Sequence, residues 1–454
     1  MTSMRLVVIG GSDGGISAAL RARELDPDVD ISVVLADAYP NFSICGIPYH
    51  VSGDVPDWHS LAHRTAVDIE ALGISLLTGT RAERIDTGAG TVTATGPDGS
   101  GLTIGYDRLV VATGAVPVRP PIHGLEALGP ADGVHLLHTM GDTHDVMATL
   151  ERRDVTSAVV VGAGYIGLEM AEALTTRGIA VTQVEALPQV LPTIDPELAS
   201  LVAAELAAHG VEVRTGTRIT ELTSLGDRVK VRGTGEYERT ADMVLVVTGV
   251  TPDTSLAAAA GLRLAANGAI LVDQCMSTGE ANVYAAGDCV VTHHRLLGST
   301  YLPLGTTAHK QGRVAGENAL GGERCFAGSL GTQVVKVFGL VAARTGIRDH
   351  EARDAGYQPL TVATTSDDHK AYYPGARPVH VRTTADKATG RLLGVQMVGA
   401  IPTAVHKRID TAATAIFAGL RLDDVSDLDL SYTPPLGSPW DVLQAAAQAF
   451  PAHR

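Results

Sequence analysis

The chain has 454 residues, of which 45% are hydrophobic and 19% are charged, and its formal net charge at pH 7 is -15. A chain of this length exceeds a single hydrophobic core, so we expect two or three domains. The acidic balance argues against nucleic acid and anionic membranes as partners, because binding them requires clustered Lys and Arg. The sequence shows neither a long apolar span nor a secretory leader, so we expect a cytoplasmic protein without a membrane segment.

The first predicted unit is a strand, a glycine-rich turn, a helix and a second strand, in MRLVVIGGSDGGISAALRARELDPDVDISVVLADAY. Glycines at such a turn let the backbone approach a pyrophosphate, and the helix N-terminus offers free N–H groups. The second strand has Leu35 where an acid could bind a ribose, and Asp37 follows it. The unit predicts dinucleotide binding, although a serine interrupts the strict GxGxxG pattern. The candidate cofactor residues of the turn are Gly10, Gly11, Ser12, Gly14 and Gly15.

The second unit, SAVVVGAGYIGLEMAEALTTRGIAVTQVEALPQVLP, satisfies the strict pattern with Gly162, Gly164 and Gly167. Glu185 ends its second strand, where a carboxylate accepts hydrogen bonds from a ribose 2′-OH and repels a 2′-phosphate. No Arg or Lys follows it as far as Thr193, so the sequence favours NADH over NADPH. The helix after the turn carries a further candidate cofactor residue, Glu169.

Each unit is closed by a buried strand that ends in Thr-Gly and continues into a Pro-containing exit, at 107–121 and 242–256. Such exits suit crossings between domains. Thr113, Gly114 and Gly249 at these exits are further candidate cofactor residues.

A later segment, ANVYAAGDCVVT, predicts a strand followed by Gly287 and Asp288, and a helix is predicted to begin near Thr306 and Thr307. An Asp in this position can hold a polyol hydroxyl chain. A helix N-terminus directed at an isoalloxazine ring would stabilise its anionic reduced form.

From about Gly331 the pattern changes to three strand segments, TQVVKVFGLVAART, PVHVRTTAD and GRLLGVQMVGA, and a helix in HKRIDTAATAIFAGL. This composition predicts a third, α+β domain. Its last loop contains SYTPPLGSPW, in which two prolines and aromatic residues could reach a neighbouring site.

These features, with the segment NFSICGIPY, resemble the FAD-dependent pyridine nucleotide-disulfide oxidoreductases over nearly the whole chain. They are most similar to the single-cysteine branch, which contains coenzyme A-disulfide reductases, NADH oxidases and NADH peroxidases. The resemblance implies an α/β fold, bound FAD and NADH, with NADPH possible, and a homodimer. The implied domains are an FAD-binding domain in two parts (1–115 and 251–328), an NAD(P)H-binding domain (116–250) and a dimerisation domain (329–454).

Cys45 is the candidate redox residue. In two-cysteine relatives the redox disulfide has the pattern CxxxxC, but here His50 occupies the fifth position after Cys45. Cys45 would therefore cycle between a thiolate and either a mixed disulfide or a sulfenic acid. A position at a helix N-terminus would lower its pKa. The alternative is that Cys45 is a small buried hydrophobic residue.

The other cysteines, Cys275, Cys289 and Cys325, are scattered without a zinc-binding or secreted disulfide pattern. We therefore expect reduced thiols and predict no metal site.

The resemblance also implies a proton donor near the sulfur. Glutathione-reductase-like members use a His and Glu pair, whereas this chain has Tyr432 in the comparable loop. Tyr432, with Tyr372 or Tyr373, is expected to act across the dimer, since a phenol is protonated at neutral pH. The alternative is that these tyrosines are packed aromatic residues.

Several positions depart from the family. Asp13 replaces the His of NADH oxidases and peroxidases, and Ile44 replaces the Asn that usually precedes the cysteine in coenzyme A-disulfide reductases. Arg23 matches one Arg that helps hold coenzyme A phosphates, but Glu24 replaces a second. The oxidant could therefore be another small disulfide, a persulfide or a thiophilic metalloid.

Three functions remain open. The first is NAD(P)H-dependent reduction of a low-molecular-weight disulfide or persulfide through Cys45. The second is an NADH oxidase or peroxidase that reduces O2 or H2O2 through a Cys45 sulfenic acid. The third is an NADH-sensing flavoprotein that acts mainly by binding a partner.

Overall fold

The structure of the protein is a computed structural model that describes residues 3–152 and 154–451. It contains two parallel five-stranded sheets and an antiparallel five-stranded sheet near the C-terminus. Two Rossmann-like units and an α+β unit confirm the predicted fold class. The outer ends of the predicted domain ranges, residues 1–2 and 452–454, lie outside the described residues.

The predicted first unit forms a parallel βαβ arrangement. Strands β1 (Arg5–Ile9) and β2 (Asp30–Val34) pair in parallel, and helix α1 (Asp13–Leu25) connects them. The strand residues are mostly buried, which explains why the sequence reads as two apolar runs. The other elements of this stretch are α2 (Ile47–Ser52), α3 (Ala66–Glu70), β3 (Ile74–Leu77), β4 (Arg81–Asp86), β5 (Thr91–Thr95), β6 (Gly101–Gly105), β7 (Arg108–Val111) and β8 (Ala115–Pro117).

The predicted second unit repeats this plan around a second sheet. Strand β10, helix α5 and strand β11 form its central βαβ arrangement. The elements are β9 (Val134–Leu136), α4 (Met140–Arg152), β10 (Ser157–Val161), α5 (Tyr165–Thr176), β11 (Ala180–Val184), α6 (Pro196–Ala208), β12 (Glu212–Arg214), β13 (Ile219–Ser224), β14 (Val229–Gly233), β15 (Glu238–Ala241), β16 (Met243–Val246) and β17 (Val250–Pro252). The sheet has the order β12-β11-β10-β16-β9.

The two Pro-containing exits lie side by side, because β8 and β17 pair in antiparallel fashion. Gly114 and Gly249 precede these strands with φ of +73° and +109°, values that favour glycine. The outgoing and returning connections between the two units therefore form one two-stranded ribbon.

After β17 the chain returns to the first sheet. Its elements are α7 (Ser255–Ala259), β18 (Val283–Ala285), β19 (Thr292–His294), β20 (Gly298–Thr300) and α8 (Gly305–Ala319). Strand β18 pairs with β7 and completes the order β18-β7-β1-β2-β3. The strand before Gly287 and the helix near Thr306 are thus both confirmed.

The C-terminal unit is built on the antiparallel five-stranded sheet, against which helices pack. Its elements are β21 (Gln333–Val337), β22 (Leu340–Gly346), α9 (Asp349–Asp354), β23 (Pro359–Asp367), β24 (Pro378–Asp386), β25 (Leu392–Ala400), α10 (Val405–Ala418), α11 (Leu422–Ser426) and α12 (Val442–Gln448). The predicted strand segments and the predicted helix correspond to β21 and β22, β24, β25 and α10. Among the described helices, none has the length and apolar character that crossing a membrane requires.

Helices α1 and α8 pack with their backbones in close contact. An added Cβ at Gly312 would overlap the carbonyl oxygen of Gly14, and one at Gly316 would overlap that of Ala18. Both glycines are buried in α8. The absence of side chains at these two positions therefore sets the spacing between the two helices whose N-termini border the glycine-rich turn.

We predict that Gly316→Ala destabilises the protein by about 1–3 kcal/mol, because overlap with Ala18 outweighs the higher helix propensity of Ala. Urea unfolding would measure the loss. Gly101→Ala is the control, since nothing lies within 4 Å of a Cβ at that position. Equal unfolding midpoints for the two variants would contradict the predicted packing constraint.

Candidate functional site

The first glycine-rich turn leaves the N-terminus of α1 open. Gly10 has φ +115°, and a side chain there would overlap the Ala112 carbonyl oxygen. A Cβ at Gly15 would likewise overlap the carbonyl oxygen of Gly10. Ser12 precedes the helix, is exposed and makes no side-chain hydrogen bond to the first turn. The turn therefore fits an anionic group, such as a pyrophosphate, bound by backbone N–H groups.

The end of β2 presents Asp37 rather than Leu35. Leu35 is buried and packs closely against Gly11. Asp37 is exposed, and its Oδ1 accepts a hydrogen bond from the Tyr39 N–H at 2.8 Å. A carboxylate has capacity for further donors, so Asp37 fits the predicted role of ribose partner.

The Gly-Asp segment lies beside the glycine-rich turn. A Cβ at Gly14 would meet the Ala286 carbonyl oxygen at 3.2 Å and the Gly287 Cα at 3.3 Å. Burial, with a smaller contribution from Asp13, raises the pKa of Asp288 to about 6, although the Leu304 N–H acts in the opposite direction. Burial makes the ionised form of the Asp288 carboxyl group unfavourable, and hydroxyl groups that donate hydrogen bonds to it would stabilise that form. This fits the predicted polyol chain.

The predicted threonines differ in their environments. Thr306 is exposed in the first turn of α8, whereas Thr307 is buried, with its Oγ1 donating to Ser329 Oγ at 3.4 Å. Thr113 Oγ1 donates to the Asp253 carbonyl oxygen at 2.5 Å. Thr306 is therefore the threonine of this set whose side chain faces open space.

The second glycine-rich turn has the same close packing as the first. Gly162 has φ +107°, and a Cβ there would overlap the Val247 carbonyl oxygen. A Cβ at Gly167 would overlap the carbonyl oxygen of Gly162, whereas Gly164 faces open space. The turn fits a second phosphate-bearing ligand at the N-terminus of α5.

Glu185 is bound to the backbone of this turn. Its Oε2 accepts the Ala163 N–H at 2.7 Å, and its Oε1 accepts the Leu187 N–H at 2.8 Å. Each carboxylate oxygen retains a lone pair, so Glu185 could also accept a ribose hydroxyl. The carboxylate is held at the end of β11, as the sequence predicts.

Cys45 lies in a short 3₁₀ turn, Ile44–Gly46, directly before α2. All four cysteines lie within the described residues and are free thiols. Cys45 is exposed, so the alternative of a buried hydrophobic residue is wrong. Helix α2 packs against α5, which places Cys45 at the junction of the first and second units.

The predicted lowering of the Cys45 pKa is wrong. Dense surrounding protein raises the pKa of the thiol, and the carboxyl groups of Glu169, Asp13 and Asp288 raise it further. The Cys45 N–H lowers it, but by the smallest contribution. The 3₁₀ turn and the six-residue α2 provide little helix dipole, so burial, followed by the neighbouring acids, determines the direction of the pKa shift.

Glu169 of α5 lies beside Tyr49 of α2. Tyr49 follows Cys45 by four residues in the sequence. Burial, followed by the charge of Glu172, raises the pKa of Glu169 to about 7, although a hydrogen bond from Tyr49 and the charge of Lys336 lower it. Burial and Glu169 raise the pKa of Tyr49 to about 12. Lys336 forms an ion pair with Glu172 and lies 5.8 Å from the centre of the Tyr49 ring. A carboxyl group that titrates near neutrality therefore lies near the candidate redox sulfur.

The structure also brings Asp13 together with two histidines. His309 Nε2 lies 3.4 Å from Asp13 Oδ1, and one ligand atom each from Asp13, His63 and His309 lie within 4.8 Å of one another. Burial raises the pKa of Asp13 although both histidines lower it. Two imidazoles and a carboxylate could hold a divalent transition metal, a possibility that the sequence interpretation missed.

The three candidate tyrosines lie on two adjoining loops of the C-terminal unit. Tyr372 and Tyr432 hydrogen bond to each other, and Tyr373 packs edge-on against His369. Tyr372, Tyr373 and Tyr432 are 73%, 44% and 44% exposed. Arg408 links the loops by donating to Asp441 and to the Asp368 carbonyl oxygen, both at 2.8 Å. The tyrosines therefore form an outward-facing group on this chain, and their role as proton donors stays a prediction.

The residues compared with coenzyme A-binding positions are already engaged. Arg23 donates to the backbone carbonyl oxygens of Pro27 and Gly73. Glu24 accepts hydrogen bonds from Arg21 at 3.0 Å and from Arg313 at 3.0 Å. Binding a phosphate here would require Arg23 to exchange partners beside an acidic side chain.

Tyr49, His63 and His309 were missed by the sequence interpretation. Tyr49 lies four residues after Cys45, so its helical spacing from the sulfur was a usable local signal. His63 and His309 lie far apart in sequence, and only the packing of α8 against α1 brings His309 to Asp13.

Comparison with known proteins supports this assembly of sites. Residues 4–312 match the family described as pyridine nucleotide-disulphide oxidoreductase, and residues 332–442 match its dimerisation domain. A "NAD(P)H sulfur oxidoreductase (CoA-dependent)" of Pyrococcus furiosus is 36% identical over 99% of each chain. An "NADH oxidase" of Methanocaldococcus jannaschii is 32% identical over 98% of each chain.

A solved structure described as a NAD-dependent persulfide reductase from A. fulgidus superposes with a TM-score of 0.93 and 39% identity, covering 98% of this chain and 82% of that one. The extent of these matches, together with two glycine-rich turns and a lone exposed cysteine at their junction, places the chain in one family. The chain belongs to the FAD-dependent pyridine nucleotide-disulphide oxidoreductases.

Proposed function

We propose that this protein is an NADH-dependent oxidoreductase that reduces a low-molecular-weight disulfide or persulfide through Cys45. The position of Cys45 carries the proposal, since an exposed free thiol lies at the junction of the two Rossmann-like units. The names of the P. furiosus and A. fulgidus proteins support sulfur chemistry for chains of this type.

The cofactor assignment rests on the two turns and the Gly-Asp segment. FAD would accept a hydride from NADH and make two electrons available for sulfur. FAD would be held by the first turn and by Asp37, Thr113, Gly114, Gly287, Asp288, Thr306 and Thr307. NADH would be held by Gly162, Gly164, Gly167, Glu185 and Gly249, with Glu169 nearby. We therefore also propose that residues 1–115 and 251–328 form the FAD-binding domain, residues 116–250 the NADH-binding domain and residues 329–454 the dimerisation domain.

The chemistry at Cys45 is thiol–disulfide exchange. The Cys45 thiolate attacks one sulfur of the substrate disulfide, a mixed disulfide forms, and one thiolate leaves and takes up a proton. Two electrons that originate in NADH then cleave the mixed disulfide, which releases the second thiol and restores Cys45. A persulfide would react in the same way, with hydrosulfide as one of the products.

The leaving thiolate needs a proton donor. Tyr372, Tyr373 and Tyr432 face outward on loops of the dimerisation unit, so they would act on Cys45 of a second copy in a homodimer. Leu436 and Trp440, which are 78% and 55% exposed on the same loop, would be covered in that dimer. The cytoplasmic location stays a prediction, which the four free thiols support.

A second candidate function, reduction of O2 or H2O2, is favoured by one observation, the similarity to the M. jannaschii NADH oxidase. The exposed Cys45 could form a sulfenic acid with peroxide. Oxygen uptake with NADH and no added disulfide separates the two functions. Uptake as fast as disulfide reduction would favour the oxidase.

We predict that Cys45→Ser lowers NADH-dependent reduction of a small disulfide by at least about a hundredfold, because serine cannot form the mixed disulfide. Anaerobic assays would follow NADH oxidation with cystamine or coenzyme A disulfide. Cys325→Ser is the matched exposed-thiol control and should keep its turnover. Full activity of Cys45→Ser would refute the proposed function.

The Glu169 carboxyl group should make Cys45 reactivity depend on pH. As the pH rises through about 7, Glu169 loses its proton and adds a negative charge that opposes the Cys45 thiolate. We predict that Glu169→Gln lowers the Cys45 pKa by roughly half a unit to one unit. The alkylation rate of Cys45, followed by peptide mass spectrometry as the pH increases, measures the shift.

Glu70→Gln is the control for this experiment, because Glu70 is exposed in α3 and is not among the groups that shift the Cys45 pKa. An unchanged profile for Glu169→Gln would show that Glu169 does not act on the sulfur. An equal shift in both variants would indicate a general effect of net charge.

Glu185 should set the preference for NADH. We predict that Glu185→Gln lowers kcat/KM for NADH by roughly tenfold, since a charged hydrogen-bond acceptor is lost. The ratio of kcat/KM for NADH to kcat/KM for NADPH should decrease as well. Steady-state assays with both nucleotides would measure it, with Glu126→Gln as an exposed control in the same unit. A wild-type protein that prefers NADPH would contradict the assignment.

A further inference from the structure

Cys275 and Cys325 form a pair of thiols at the surface of the first unit. Their Sγ atoms are 3.7 Å apart although the residues are 50 positions apart in sequence. Cys325 is exposed and Cys275 is half-buried. Neither is among the groups that act on the Cys45 thiol. The pair is therefore a second thiol centre, separate from Cys45.

Backbone hydrogen bonds hold the two segments together. The Phe326 N–H donates to the Gln274 carbonyl oxygen at 2.7 Å, which joins the residue after Cys325 to the residue before Cys275. The Cys275 N–H donates to Asp273 Oδ1 at 2.8 Å. The two cysteines are thus neighbours across a fixed backbone contact.

The buried side chain of Asn318 hydrogen bonds to the backbone of both cysteine-bearing segments. It is 3% exposed, and its Nδ2 donates to the Cys275 carbonyl oxygen at 2.8 Å and to the Arg324 carbonyl oxygen at 2.7 Å. Its Oδ1 accepts the Arg324 N–H at 2.8 Å. Three hydrogen bonds from one amide therefore set the separation of the two thiol-bearing segments.

The residues that follow the two cysteines anchor the segments in the core. Met276 and Phe326 are 1% and 3% exposed and belong to the same hydrophobic cluster. With their neighbours buried, the two thiols are held at the surface. A disulfide needs a sulfur separation of about 2.0 Å, so a movement of roughly 1.7 Å within two side chains would close the bond.

We propose that Cys275 and Cys325 are a redox-active dithiol that small-molecule disulfides oxidise to an intramolecular disulfide. The Cys325 thiolate attacks one sulfur of the disulfide, the sulfur–sulfur bond breaks, and the first thiolate leaves and takes up a proton. Cys275 then loses its proton and attacks the Cys325 sulfur, and the second thiolate leaves. The two cysteines lose two electrons and two protons, and the small disulfide becomes two thiols.

The charges around the pair assign the order of attack and the class of disulfide. Burial, contact with Cys325 and the charges of Asp273 and Glu323 raise the pKa of Cys275, so the exposed Cys325 attacks first. The same two carboxylates disfavour an anionic reagent. A cationic disulfide should therefore react several-fold faster than an anionic one at low salt.

The disulfide would have a structural consequence. It would close a loop of the chain that contains Gly287, Asp288 and the whole of α8, so the elements proposed to hold FAD would lie within the cross-linked loop. Oxidation should therefore raise the melting temperature of the holoenzyme. This centre goes beyond the proposed function and does not require turnover at Cys45.

The test uses reduced holoenzyme treated with cystamine or oxidised glutathione, quenched by alkylation and digested without reductant. We expect mass spectrometry to show a cross-linked peptide pair containing Cys275 and Cys325, formed several-fold faster with cystamine. In Cys275→Ser, Cys325 should instead keep a stable cysteamine adduct. Asn318→Ala should slow cross-linking several-fold while leaving Cys325 reactive.

The same measurement in Cys45→Ser separates this inference from the proposed function. The cross-link should form at an unchanged rate there, whether or not Cys45 carries turnover. Two free thiols at 275 and 325 after prolonged treatment, a separate adduct on each cysteine, or a Cys325 bond between two chains would each overturn the proposal. If Asn318→Ala fails to fold, the two serine variants still decide the outcome.

Discussion

The close packing of α8 against α1 is the constraint on which the rest of the structure depends. Gly312 and Gly316 let the backbone of α8 lie directly on Gly14 and Ala18, which are nearly 300 residues earlier in the chain. This contact brings His309 to Asp13, and the first residue of α8, Gly305, lies where an added Cβ would be 2.9 Å from Asp13 Oδ2. A bulkier residue in either glycine position would separate the elements that the proposed FAD site requires.

The second organising feature is the acidic surroundings of Cys45. Burial by the surrounding protein, and then three carboxyl groups, raise the pKa of its thiol, so the protein chain by itself favours the protonated sulfur. Glu169 and Asp288 have pKa values raised to about 7 and about 6, so their charge, and with it their effect on the sulfur, changes near neutrality. Thiol reactivity is therefore coupled to neighbouring protonation states rather than fixed by a helix dipole.

Sequence reasoning succeeded where the signal was local. Each βαβ unit is specified by a glycine-rich turn between two apolar runs, and both strand pairs and both helices appear at the predicted positions. The position of Glu185 at a strand end followed from the same spacing. The pKa of Cys45 could not be predicted in this way, because Glu169 reaches it from α5, more than a hundred residues away, through packing of α2 on that helix.

The cysteines show the same limit most clearly. In the sequence Cys275 and Cys325 look scattered, and no spacing rule joins residues 50 positions apart. They meet because β18 and α8 return to the first sheet and Asn318, near the end of α8, binds both segments. Cys45 differs because no other cysteine is among the groups that act on its thiol. The fold therefore determines two kinds of thiol chemistry by where it places each sulfur. A mixed disulfide at Cys45 needs electrons from NADH to be resolved, whereas a mixed disulfide at Cys325 can be resolved by Cys275 to give an intramolecular disulfide.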